Sequence, residues 1–545
     1  MPDSATLLQA WLDTELDRDP VTASLLGVEG HDDRMGDFSA ARWESQPATD
    51  QHWAGRLDAL DLPALPLADR VDVTLVLSQL AGRSITQGWV AWRRDPSVYL
   101  NPCLQGTFGL FLNRLRPEVE LVAAVESRLR QVPAVLAEAR ANLDADLAPA
   151  LLVRRALRSC RAGVAYFRDL LPSEVADVSI RGDLANAGEV AAVALEDFAA
   201  FLDALAERAR GDWALGESRY SALLRERELL GYGAAEVHQR GLAAWAELDG
   251  EMDRLAARVD PDGGGWAPVV AELAKDHPAS PEAMLSAYQT KCDEARRFLV
   301  DRQLVSFTDG ERCLVEPSPV FQRPVIAVAS YSAPPPFSTS VTGHFFVPYP
   351  PEGESPDDLD QRLSDNSFHM IPTISVHEAY PGHYWQLTWS AANPRPVRKA
   401  LRTPYFVEGW ALYVEAMMRE QGFFTDPRDE LCHLGARIFR AARMVVDTAL
   451  HTGEMTVEAA VDHMVSHAGL TPAVARAEVD RYCAWPTQAP SYLTGALEIE
   501  RLRRRWMAEG RGDLRAFHDA AGASPGLPLA LAELELFGTV GSAGG

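Results

Sequence analysis

The chain has 545 residues, 47% hydrophobic and 24% charged, an ordinary globular balance with room for one large domain or several smaller ones. Its net charge of −25 excludes nucleic acid or an anionic membrane as a partner held by bulk electrostatics. No uncharged apolar run approaches the ~20 residues of a membrane span, and Met1 to Pro20 lacks the basic start, apolar core and cleavage site of a secretory signal.

Leu7, Leu8, Trp11, Leu12 and Leu16 fall at helical spacing and predict an amphipathic opening helix. Segments near 66–92, 117–142, 144–171, 187–210 and 234–259 continue that character, rich in Ala, Leu, Arg and Glu and punctuated by Pro or Gly. From Val315 to Pro351 the composition shifts to Pro, Ser, Val and Phe. Here 325–329 and 343–347 read as short strands, with a stiff loop from Tyr331 to Pro336 between them. Helical patterning returns near 356 and runs to about 537, and the Gly-rich tail from Gly538 is expected to fray.

These elements predict a mainly α fold with a small β-sheet near 315–350. The natural division is an N-terminal helical half, 1–285, and a motif-bearing half, 286–545, enclosing one deep cleft as a continuous unit. The six cysteines are scattered without a CxxC pair, which reads as reduced buried thiols and a cytoplasmic location.

The chemistry concentrates in Ser375-Val376-His377-Glu378-Ala379-Tyr380-Pro381-Gly382-His383. Two histidines and a carboxylate in an otherwise apolar run are costly to bury without a task. The pattern resembles a zinc peptidase HExxH helix with two residues inserted before its second histidine. On an undisturbed helix, residues six apart point about 120° away from each other. Pro381 cannot continue the helix and Gly382 adopts backbone angles that other residues avoid, so a break there is expected to bring His383 back to His377. Glu408, twenty-five positions after His383, completes a set of two imidazoles and a distant carboxylate suited to one zinc ion with an open fourth position. Glu415 is the rival ligand. Glu378 is the expected general base, taking a proton from the attacking water and passing it to the leaving amine.

The stretch His377 to His383 with Gln386, followed by Glu408-Gly409-Trp410-Ala411-Leu412-Tyr413, resembles the bacterial domain-of-unknown-function 885 family. The resemblance extends to Asp19 through Gly27 with Asp32-Asp33-Arg34, to Ala441 through His451, and to Glu478 through Pro486. Members of that family resemble helical zinc peptidases of the gluzincin type, such as angiotensin-converting enzyme and thermostable carboxypeptidases. The resemblance implies a large helical gluzincin-like metallopeptidase fold with a deep cleft. It also implies zinc-dependent hydrolysis of short peptides, of the carboxypeptidase or oligopeptidase kind. Many relatives resemble exported lipoproteins, and the signal they carry is missing here. A tyrosine downstream of the carboxylate ligand is implied as oxyanion donor, for which Tyr492 is the first choice and Tyr482 the rival.

Further candidates surround this core. Arg443, Asp447 and His451, four apart, share one helix face. They read either as substrate-binding and catalytic groups or as an internal ion-pair network. Arg481 and Tyr482 are candidates for substrate binding, as is His344, whose strand is suited to pair with an extended peptide. His369, Trp385 and Gln386 are placed along the site, whereas His31, His238 and His518 read as structural. Competing readings are a metal-dependent hydrolase of a non-peptide amide, a non-haem metal enzyme using the same two-His one-carboxylate set, and a non-catalytic binding protein. The directly adjacent Glu378 favours hydrolysis, because iron triads do not require it.

Overall fold

The computed structural model describes residues 3–323, 328–524 and 526–539. The fold is mainly α with one three-stranded sheet, as the sequence patterning predicts. The opening helix α1 (Ser4–Arg18) buries Leu7, Leu8, Trp11, Leu12 and Leu16, the residues that share its apolar face. Asp3 caps it, its side chain accepting from the Thr6 N–H at 2.7 Å.

Two compact units divide the chain: residues 1–215 with 335–339, and residues 216–334 with 340–545. In the first, α2 (Glu118–Asn142), α3 (Ala150–Ala165) and α4 (Val178–Ala206) interlock around Leu129, Val132, Val153, Leu195, Phe198 and Leu202, all fully buried. The fully buried Arg128 on α2 is satisfied by backbone carbonyls of Pro20, His31, Arg34 and Gly106, which ties down the segment after α1.

The division falls at Leu215, not near 285, because α5 (Ala234–Val259) packs inside the second unit. It lies so close to α10 (Pro427–Thr452) that a Cβ on Gly241 would sit 2.7 Å from the Met444 Cβ. His238 Nδ1 also reaches Thr448 Oγ1 at 2.9 Å. Helix α6 (Pro281–Arg302) belongs to the same unit.

The sheet runs β1 (Arg312–Pro317), β3 (Thr342–Val347), β2 (Ser330–Ser332), with β1 parallel and β2 antiparallel to the central β3. The strand expected at 343–347 is β3. The one expected at 325–329 is displaced: 325–327 lie outside the described residues, and Val328 and Ala329 precede β2. Pairing of Tyr331 with Phe345 draws Tyr331 and Ser332 out of the expected loop and into the strand. No described helix is long and apolar enough to cross a membrane.

Candidate metal centre

Helix α7 (Ile371–Glu378) ends where the motif changes character. The chain turns through Ala379, Tyr380 and a cis Tyr380–Pro381 bond, and α8 (His383–Ala392) begins at the second histidine. Gly382 makes this reversal possible. A Cβ at that position would lie 1.8 Å from the His377 carbonyl oxygen and 2.3 Å from that of Val376, so no other residue fits. The break sets the His377 and His383 rings edge to face with centroids 4.7 Å apart, the convergence expected from Pro381-Gly382.

Helix α9 (Pro404–Glu420) supplies the carboxylates. It starts at Pro404, capped by Thr403, so Glu408 lies in the second turn and is not a first-turn acid serving the macrodipole. Two observations fix α9 against the motif. The buried Trp410 indole donates to the Pro381 carbonyl at 2.8 Å. Gly409 meets Gly495 of α12 (Ser491–Ala508) so closely that a Cβ on Gly409 would fall 2.6 Å from the Gly495 Cα. Glu408 Oε2 then stands 3.3 Å from His383 Nε2 and 3.8 Å from His377 Nε2.

Glu415, seven residues on and therefore on the same face of α9, is on the far side of His377. Its Oε1 accepts from the His377 Nδ1–H at 2.6 Å. That bond holds the ring through Nδ1 and leaves Nε2 facing Glu408, the usual arrangement of a carboxylate behind a metal-binding imidazole. His433 on α10 brings Nδ1 to 3.4 Å from the other oxygen of Glu415.

The donor set suits zinc. Bonds of about 2.0–2.1 Å in a tetrahedron put neighbouring donors roughly 3.3 Å apart, the spacing of Glu408 from His383, while the 3.8 Å to His377 is longer than that spacing. A Glu378 oxygen also lies within 4.8 Å of the imidazole donors, but Glu378 makes no hydrogen bond among the described residues.

The electrostatics follow from three acids around two imidazoles. Burial opposes charge on His377, yet the Glu408 carboxylate facing its Nε2 and the Glu415 carboxylate accepting from its Nδ1–H outweigh it and hold the ring at about 10. Burial likewise works against Glu408 and Glu415. The two histidines hold Glu408 well below the usual carboxylate range, and His377 and His433 bring Glu415 to about 2. Glu378 goes the other way: burial raises it, only partly countered by His377 and His383. Such a carboxylate is a better proton acceptor than an exposed one. The surplus of negative charge favours a cation between these groups.

The remaining candidates separate into two sets. Tyr492 lies on α12 one turn before Gly495, its ring 4.8 Å from the Arg443 guanidinium and 5.9 Å from that of Arg440. Its hydroxyl has no hydrogen-bond partner among the described residues. Gln386 follows His383 by one helical turn, fully buried, with both amide atoms unpartnered. By contrast, Arg443, Arg481 and Tyr482 are engaged with one another through Glu478 at the start of a buried network. Arg443 and Tyr482 bond its Oε2 at 2.7 and 2.8 Å, Arg481 reaches Oε1 at 3.2 Å, and Arg443 Nε also donates to the Tyr482 hydroxyl. Tyr482 lies on α11 (Pro472–Ala484). Its carbonyl receives His451 Nε2 at 2.9 Å, and Asp447 accepts from the Tyr220 hydroxyl and the Thr487 N–H. The Arg-Asp-His stripe is thus built into an internal network.

His344 on β3 pairs with Glu316 at 2.7 Å. His369 is drawn away to Asp429 and Asp276, at 2.7 and 3.1 Å. Trp385 stacks on Trp410 at 5.2 Å and thereby supports the turn. His518, clamped between the Leu304 carbonyl and Tyr413, is structural as expected. Arg440 and His433, both on α10, were not among the candidates, because no local pattern distinguishes them from other residues of a long helix.

A family model described as a bacterial protein of unknown function (DUF885) matches residues 20–536. Among solved structures, a proposed lipoprotein of unknown function from Shewanella oneidensis aligns over 98% of this chain and all of its own, with a TM-score of 0.80 and 21% identity. A proposed lipoprotein from Colwellia psychrerythraea aligns over 98% of both chains, with a TM-score of 0.81 and 19% identity. At these identities the likeness is one of fold. No curated protein matches the sequence.

Proposed function

The chain belongs to the DUF885 family, and from that premise we propose that it is a zinc-dependent hydrolase of peptide bonds in short peptides. The observation that carries the proposal is the unbonded Glu378 carboxylate beside two imidazoles that share Glu408. His377, His383 and Glu408 would hold one zinc ion, and Glu415 orients His377. When bound, zinc supplies Lewis acidity and lowers the pKa of water.

The chain's own groups do the rest. Glu378 accepts a proton from the attacking water and delivers it to the leaving amine. Tyr492 has a free hydroxyl to offer the oxyanion, whereas the Tyr482 hydroxyl is already committed to Glu478. The helical frame with its small sheet supports reading the scaffold as gluzincin-like. The six unpaired cysteines support a reducing, cytoplasmic setting.

The test is a mixed peptide library incubated with the purified protein and followed by mass spectrometry. Cleavage that a chelator abolishes and zinc restores is expected. A library left intact by zinc-loaded protein would refute the proposal.

A further inference from the structure

Arg440 differs from the arginines around it. Arg437 pairs with Glu500 at 2.7 Å, Arg443 with Glu478 at 2.7 Å, and Arg419 with both Glu251 and Glu430 at 2.6 Å. In a chain with 77 acidic and 52 basic residues, a counter-ion is easy to provide. Yet among the described residues Arg440 has none. Its Nη1 donates to the Ala436 carbonyl of its own helix at 3.0 Å, while Nε is shut off from solvent without a partner. The edge left without an acceptor among the described residues, Nε–H with Nη2–H, is the one that grips a carboxylate through two parallel hydrogen bonds.

That edge belongs to the metal centre's surroundings. His433 and Arg440 are seven residues apart and so share one face of α10. His433 lies against Glu415, which holds His377. The Arg440 charge is felt by Glu378, Glu408 and Glu415. Its guanidinium also neighbours the Tyr492 ring, and one turn beyond Tyr492 Gly495 touches Gly409, next to Glu408. A guanidinium N–H buried without an acceptor is costly to keep, and here it stands near enough to the carboxylates of the metal centre for its charge to act on them.

We propose that Arg440 receives a substrate carboxylate, so that the substrates are peptides or amides with a free carboxylate close to the bond cut, and cleavage is from the C-terminal end. This rests on reading the centre as that of a hydrolase. Arg440 is then a specificity residue, not part of the proton transfer.

The experiment uses the zinc-loaded Glu378→Gln protein, in which binding is measured without turnover. Benzoyl-Gly-Phe as the free acid and as its C-terminal amide are titrated by calorimetry. The acid is expected to bind about 10- to 100-fold more tightly, the range for a hydrogen bond to a charged group. Adding Arg440→Gln should remove that preference and Arg440→Lys should restore part of it, with zinc content constant throughout. Equal binding of acid and amide, no binding of either, or a preference that survives Arg440→Gln would overturn the assignment. So would a loss of zinc in Arg440→Gln with the preference intact, which would make Arg440 a counter-charge for the acids. Turnover of the free acid by protein retaining Glu378 reports separately. Selective binding without hydrolysis would leave Arg440 assigned and defeat the peptidase reading.

Discussion

Two clusters of ionisable side chains lie within the second unit, and they are built differently. Around Glu478 and Asp447, each charged group is paired or partly paired inside the protein: Arg443 and Arg481 with Glu478, Asp447 with Tyr220 and Thr487, His451 with the Tyr482 carbonyl. Around His377 and His383, the supporting acid Glu415 is bonded, but Glu378, the Arg440 Nε, the His383 Nδ1 and the Gln386 amide are not. The first cluster also leaves the Asp447 Oδ1 and the Arg481 Nε without a partner, but among the described residues the second leaves a whole carboxylate, Glu378, and a whole amide, Gln386, unbonded, and a cluster of that kind is prepared for something outside the chain.

The comparison breaks most clearly at Glu378. Replacing it with Gln is expected to preserve zinc and fold while lowering turnover by about 100-fold or more, the scale of a positioned proton-transfer group. Steady-state kinetics on metal-loaded protein checks this, and near-normal turnover would exclude the role. Next come the two tyrosines. Tyr492→Phe should lower kcat by about 100-fold, as loss of an oxyanion donor does, with KM and zinc nearly unchanged. Tyr482→Phe should instead lower the thermal midpoint and leave kcat close to normal, because its hydroxyl serves Arg443 and Glu478. The opposite pattern would place the catalytic tyrosine on α11.

Glu415→Gln keeps all three ligands but weakens the hold on His377. Zinc affinity, measured by competition with a chelator, should fall by about 10- to 100-fold. An unchanged affinity would mean that Glu415 only fills space. The smallest effect concerns the paired cluster itself. Burial raises the Asp447 carboxyl to about 7, partly countered by Tyr220 and Thr487. A folded-state value above that of the unfolded chain means that the native state binds the extra proton. Stability should therefore fall as pH rises from about 4 to about 7. Asp447→Asn should flatten that slope in denaturant titrations across the range, and an identical slope would remove Asp447 as its source.

Much of the centre was legible in the sequence because local chemistry dictated it. A proline and a glycine between two histidines admit a break and little else, and the contact of Gly382 with the end of α7 is the physical form of that signal. The apolar spacing of Leu7 to Leu16 likewise specified the buried face of α1. Other features depend on tertiary packing. Glu408 and Glu415 share a helix face, so periodicity alone could not tell which faces the donors of both histidines and which stands behind one. His433 and Arg440 gain their meaning only from α10 lying against that face. The short strand at Ser330–Ser332 is set by its pairing with β3 rather than by β-propensity. The boundary at Leu215 reflects the fit of Gly241 against Met444, which no composition shift announces.

The central claim is that His377, His383 and Glu408 hold one zinc ion. It is tested most directly by elemental analysis of the purified wild-type protein and its His383→Ala variant, prepared without added metal. Close to one zinc per chain is expected in the first and loss of most of it in the second, with the helical content of both unchanged. Stoichiometric zinc retained by His383→Ala, or a wild-type protein that takes up no zinc when it is supplied, would contradict it.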